Sequence, residues 1–307
     1  MKEIVIGTRR SKLALWQADF VKNQLEEKYP RLKISLKEIV TKGDKIVDAP
    51  LSKIGGKGLF TKELEESMLR GEIDIAVHSL KDMPTKLPEG LSIIAVTKRL
   101  DPGDAFVSNK YKSIAELPIR AKVGTSSLRR KAQLLRARSD LEIVSLRGNV
   151  ETRLRKVKEE NLDGAVLAVA GLKRLGFEDR IKEVISRDIM LPAVGQGALA
   201  IEGRESDNEI IKTLSFLNDN ATRTATMAER AFLARVDGGC QAPVGVYGEV
   251  RGENICLTGA IVSLDGKRLY RKEVVAPFNE AEQLGISLAE ELLSMGGSDI
   301  LKELGVL

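Results

Sequence analysis

Apolar positions in the first two-thirds of the chain alternate between strand-like runs and helical stripes, and they do so twice in nearly the same way. Ile4-Val5-Ile6 leads through Gly7-Thr8-Arg9-Arg10-Ser11-Lys12 into apolar residues at Leu13, Trp16, Phe20, Val21 and Leu25. That spacing predicts a strand, a turn and a helix that stops before Pro30. Ala121-Lys122-Val123 leads in the same manner through Gly124-Thr125-Ser126-Ser127 into Leu128, Ala132, Leu134 and Leu135. A second pair, Glu72–Ser79 and Asn161–Ala168, consists of buried-strand runs with an acidic residue near the start. The loops that follow carry Lys81 and Arg174. Strands alternating with helices predict mainly parallel sheets, so the repetition predicts two similar α/β domains. Their sites are expected at the carboxyl ends of the strands, facing a shared cleft.

The last third has a different pattern. A helix is expected around Ala225–Val236, and strands near Val244–Arg251, Asn254–Val262 and Arg268–Val275. Leu264-Asp265-Gly266-Lys267 is a hairpin signal between the last two. An amphipathic stretch near Glu280–Leu293 closes a small α+β domain. Irregular stretches at Lys98–Asp104 and Met190–Ala198 read as crossings between the first two domains. The expected division is 1–98 with 198–216, then 103–193, then 219–307. A length of 307 residues agrees with more than one core.

Charge changes the picture through its placement. The 49 basic residues against 44 acidic ones give a net charge of only +5. The basic residues nevertheless gather at Arg9, Arg10 and Lys12, at Arg129, Arg130, Lys131, Arg136 and Arg138, and at Arg147, Arg153 and Arg155. A charge cluster is often only a solvated face, which accounts for roughly half of these residues. The first two clusters, however, fall where a strand–turn–helix start collects free N–H groups, hydroxyls and the positive end of a helix dipole. That combination makes an anion site.

Several chemistries are excluded. A single histidine, His78, is too few for most histidine metal sites, and no Cys-x-x-Cys spacing suggests zinc or a redox dithiol. Ile54-Gly55-Gly56-Lys57-Gly58-Leu59-Phe60 lacks P-loop spacing. Gly195-Gln196-Gly197-Ala198-Leu199-Ala200 matches G-x-G-x-x-A but follows Pro192 rather than a clean strand. Only 4% of residues are aromatic, so stacking platforms for nucleic acid are poor and carboxylates are the better anion partner. The N-terminus has no signal-peptide pattern and no apolar run approaches membrane-spanning length. A cytoplasmic chain is expected.

The two cysteines contrast. Cys256 lies in a β-rich run and is expected to pack. Cys240 lies in Gly238-Gly239-Cys240-Gln241-Ala242-Pro243-Val244-Gly245, a composition that specifies a tight turn and presents the thiol to a small molecule.

Together with Glu229-Arg230-Ala231-Phe232-Leu233, His78-Ser79-Leu80-Lys81-Asp82-Met83-Pro84, Gly124–Arg130 and Arg147-Gly148-Asn149-Val150, that turn resembles the porphobilinogen deaminase family over essentially the whole chain. Arg235-Val236-Asp237 departs from the family pattern without touching a catalytic position. The resemblance implies two lobes like those of type II periplasmic binding proteins plus a small α+β domain. It implies a dipyrromethane cofactor in thioether linkage to Cys240, porphobilinogen as substrate, and hydroxymethylbilane for haem and other tetrapyrroles as product. Asp82 matches the catalytic aspartate. Arg9, Ser11, Lys53, Lys57, Ser79, Lys81, Thr125, Ser127, Arg129, Arg130, Arg147, Arg153, Arg174 and Gln196 match cofactor- or substrate-binding positions. Neither metal, nucleic acid nor membrane is expected, and a monomer is. A two-lobed anion-binding module without chemistry is the alternative; it explains the lobes and arginines but gives Cys240 and the third domain no role.

Overall fold

A computed structural model of the chain describes residues 3–45, 59–236 and 242–306. Two compact units are present, Met1–Arg99 with Ala198–Arg223, and Leu100–Gly197 with Thr224–Leu307. The chain starts in the first unit with β1 (Glu3–Thr8), β2 (Lys33–Glu38), β3 (Ile75–Ser79) and β4 (Leu91–Val96). It continues in the second with β5 (Asp104–Val107), β6 (Lys122–Gly124), β7 (Glu142–Val144), β8 (Gly164–Ala168) and β9 (Ile181–Val184). It then returns to the first unit as β10 (Leu199–Arg204).

The two five-stranded sheets have the same plan. The first has the order β2-β1-β3-β10-β4 and the second β7-β6-β8-β5-β9. In each, the first three strands are parallel and the fourth runs antiparallel between its neighbours. The repeated sequence pattern thus becomes a repeated α/β lobe.

In the first unit, the Lys12–Lys28 helix buries Ala18, Val21 and Leu25 against one face of the sheet, beside Ile4, Ile6, Ile75, Val77 and Ile201. The opposite face carries Ala76, on which Leu64 and Met68 of the Lys62–Leu69 helix pack. The alternation of strand side chains therefore sends Ile75, Val77 and Ser79 one way and Ala76 and His78 the other.

The second unit also contains the antiparallel strands β11 (Val244–Arg251), β12 (Asn254–Val262) and β13 (Leu269–Pro277). They share an apolar core with Phe232 of the Asn220–Arg235 helix and Leu288 and Leu292 of the Ala281–Leu292 helix. Gly266, in the β12–β13 hairpin, has φ 75°, and any Cβ there would strike the backbone of Leu135 and Arg136. The Asn220–Arg235 helix starts five residues before the expected Ala225. Asp219 accepts from the Thr222 N–H at 2.8 Å, and the polar first turn hides the helical period. Within the first unit, Arg223 donates to the carbonyls of Ile94 and Ile93, each at 3.2 Å. Among the described residues, no helix is long and apolar enough to cross a membrane.

Candidate active site

In the first unit, the carboxyl ends of β1 and β3 and the start of the Lys12–Lys28 helix border a small open pocket. Its lining includes Arg9, Ser11, Gln17, Phe60, His78, Ser79 and Asp82. Each polar group is positioned by local structure. Ser11 is the N-cap of the helix and accepts from the Ala14 N–H at 3.3 Å, which leaves its own hydroxyl hydrogen for a ligand. Arg9 lies with its guanidinium carbon 4.2 Å from the centre of the Phe60 ring, a cation–π contact. Gln17 reaches across from the helix to donate to the Ser79 hydroxyl at 2.8 Å. Asp82 ends the short 3₁₀ turn Leu80–Asp82 directly after β3 and is exposed, while Lys81 beside it is half-buried. Two distant stretches thus meet in one pocket: Arg9, Ser11 and Ser79, expected to bind, and Asp82, expected to catalyse.

Beneath it lies a group that sequence reasoning missed. The Nε2 atom of His78 is 3.0 Å from Oε2 of Glu202, with side-chain exposures of 5% and 0%. The sheet register explains the meeting: Ala200 is opposite His78 and Glu202 opposite Ala76, so Glu202 and His78 are diagonal neighbours on one face. Glu65, on the helix that covers this face, is buried too. Burial pushes its carboxyl above the ordinary value, and the Glu202 charge adds to the shift. The signal was available as a lone acid inside the apolar run Leu199-Ala200-Ile201-Glu202.

The second unit gathers a different set. Ser127 caps the Leu128–Ala137 helix by accepting from the Arg130 N–H at 3.4 Å, and Thr125 accepts from the Ser127 N–H at 3.2 Å. Arg129 and Arg130, at the start of that helix, are buried and converge on Asp104. Nη1 of Arg129 donates to Oδ2 at 2.6 Å, and Nε and Nη2 of Arg130 donate to Oδ1 at 3.0 and 2.7 Å. Gln196 also donates to Oδ1, at 3.0 Å, and to the Pro102 carbonyl at 2.7 Å. Burial pushes the Asp104 carboxyl up, but the two guanidiniums outweigh it and hold it well below the usual carboxylate range. Burial in turn draws Arg130 below the ordinary guanidinium value. Asp104, expected in a crossing between the first two domains, is instead the first residue of β5.

This cluster contains two guanidiniums and one carboxylate, so it carries a surplus positive charge away from water. Each guanidinium has five N–H donors, more than these bonds use. Arg174 is buried, donates to the Gly197 carbonyl at 2.7 Å, and is lowered to about 10 by desolvation. Arg153 donates to the Gly148 carbonyl at 2.7 Å, and Arg147 is half-buried. Arg138 is engaged by Asp140 at 2.7 Å and Arg136 by the Lys267 carbonyl at 3.1 Å. Lys53, Lys57 and Cys240 lie outside the described residues. Cys256 is a free thiol on β12.

Comparison with known proteins decides the family. The model of the porphobilinogen deaminase dipyromethane cofactor binding domain matches residues 4–212, and that of the porphobilinogen deaminase C-terminal domain matches residues 223–294. The chain belongs to the porphobilinogen deaminase family. Porphobilinogen deaminase of Geotalea uraniireducens is 55% identical over 303 residues, covering 99% of this chain and 95% of the relative. That of Geobacter sulfurreducens is 54% identical with the same coverage. Among solved structures, the methionine binding protein MetQ is similar at a TM-score of 0.47 and 15% identity, over 81% of this chain and 99% of that one. Within the porphobilinogen deaminase family model fall both the pocket with Asp82 and the Arg129–Arg130 cluster.

Proposed function

We propose that this chain joins porphobilinogen units head to tail with loss of ammonia and, by addition of water, releases the linear four-ring hydroxymethylbilane, a step in making haem and other tetrapyrroles. The observation that carries the reading is the pocket that holds Asp82, Arg9, Ser11 and Ser79 together. Each porphobilinogen unit carries an acetate and a propionate, which a guanidinium with neighbouring hydroxyls is suited to bind. Each condensation forms one carbon–carbon bond, breaks one carbon–nitrogen bond, releases ammonia and removes a proton from the attacked ring carbon. Asp82, an exposed carboxylate at the strand end, is suited to accept from pyrrole N–H groups. It would also stabilise the positive charge that builds as ammonia departs.

A dipyrromethane, attached by a thioether to Cys240, supplies the primer to which units are added. The residues fit such a group: the surplus positive charge at Arg129, Arg130 and Asp104 calls for an anion, and Thr125 and Ser127 stand at the same turn. Lys53, Lys57, Lys81, Arg147, Arg153, Arg174 and Gln196 complete the proposed array. In this reading the protein is a cytoplasmic monomer that binds no nucleic acid. Its three domains comprise 1–98 with 198–216, 103–193, and 219–307.

Intact mass of the purified protein tests the proposal. A two-pyrrole adduct should be present on the native chain and on Cys256→Ser, and absent from Cys240→Ser together with hydroxymethylbilane formation. A native chain with no adduct, or an adduct that stays on Cys240→Ser, overturns it.

A further inference from the structure

The His78–Glu202 pair is expensive. Both side chains are withdrawn from water, and desolvation of such a pair offsets its mutual attraction. The neighbouring β3 positions Ile75, Ala76 and Val77 are buried and apolar. Apolar side chains at both 78 and 202 would therefore pack against the same surroundings without that cost. The second oxygen of Glu202 and one oxygen of Glu65 are buried with no hydrogen-bond partner, so the group is not arranged for stability. Among the described residues, no cluster of ligand-type side chains is arranged to hold a metal ion.

What distinguishes position 78 is that it borders the pocket with Asp82, Ser79 and Arg9. Resting on the proposed activity, we infer that His78 is a substrate-contacting residue whose Nδ1 accepts a hydrogen bond from an N–H donor of porphobilinogen, its tautomer set by Glu202. An ionised carboxylate only accepts, so the Glu202 contact puts the ring proton on Nε2. In the neutral ring this leaves the lone pair on Nδ1, at the opposite edge. Burial raises the Glu65 carboxyl above its ordinary value, and the contact with Glu202 fixes the orientation of the ring. The titratable groups around the ring are Glu202 and Glu65, while Asp82 and Arg9 line the same pocket as His78.

Because His78 is the single histidine, ¹⁵N-histidine labelling of the full chain gives one imidazole spectrum with no assignment step. In the adduct-bearing Asp82→Asn protein, where turnover is slow, the spectrum without substrate should show a protonated Nε2 and a bare Nδ1. Saturating porphobilinogen should shift Nδ1 and leave Nε2 nearly still. Loss of one hydrogen bond predicts that His78→Leu raises KM about fivefold to tenfold with kcat within about twofold. Glu202→Gln should mix the two tautomers. An Nδ1 resonance indifferent to porphobilinogen, or a ring that becomes doubly protonated on binding, overturns the assignment. The spectral test stands even where His78→Leu fails to fold. An adduct-bearing, active enzyme with a silent Nδ1 refutes this inference alone, whereas a native chain without adduct refutes the activity itself.

Discussion

Asp104→Asn is the substitution for which the structure makes the sharpest energetic demand. The Asp104 side chain is fully buried and accepts from Arg129 at 2.6 Å, from Arg130 at 2.7 and 3.0 Å, and from Gln196 at 3.0 Å. Asparagine keeps the shape but removes the charge and turns one acceptor into a donor facing guanidinium N–H groups. Two cations would then be left buried without a counter-ion, and breaking such a pair costs about 3–5 kcal/mol. With a urea slope of about 2.5 kcal/mol/M, the transition that includes β5 should move down by roughly 1–2 M. The pH dependence has a definite sign. The folded-state value of Asp104 lies below its unfolded value of about 3.9, so its contribution is fully present above about pH 4. It is lost progressively as the pH falls from the unfolded value towards the folded one, and the variant should lack that acid limb. Urea midpoints at pH 7 and at pH 3, read by circular dichroism, measure both effects. A shift below about 0.3 M at pH 7 would refute the reasoning, since that is less than any uncompensated buried charge allows.

Three further outcomes are expected. Asp82→Asn should retain the adduct and bind porphobilinogen, but turn over about 10²–10⁴-fold more slowly; more than a tenth of native turnover would shift the catalytic role elsewhere. Arg9→Ala and Arg153→Ala should keep the adduct and accumulate partly elongated enzyme, visible as a mass ladder that differs from the native one. Glu65→Gln should gain stability relative to the native chain as pH rises from about 4.3. Burial raises the Glu65 value, so its ionisation opposes folding with increasing pH, and equal urea midpoints at pH 5 and pH 8 would contradict this.

The features legible in the sequence are those encoded within a few residues. Ser11 and Ser127 cap helices because a hydroxyl reaches the N–H three positions on. The β12–β13 hairpin follows from Asp265-Gly266, and Asp82 follows β3 directly. The repeated strand–turn–helix pattern sufficed for two lobes, because periodicity alone sorts helices from strands. The tertiary structure decided which distant residues meet. Arg129 and Arg130 read as part of a ligand-binding array, yet the strand order brings β5 beside β8 and delivers Asp104 from 25 and 26 positions away to their guanidiniums. Glu202 meets His78 across 124 positions only because β10 inserts antiparallel beside β3 in one particular register. A register shift of one residue would turn Glu202 to the opposite face of the sheet. Such pairings depend on strand order and register, which no local pattern encodes, and so the two buried charge clusters appear only once the chain is folded.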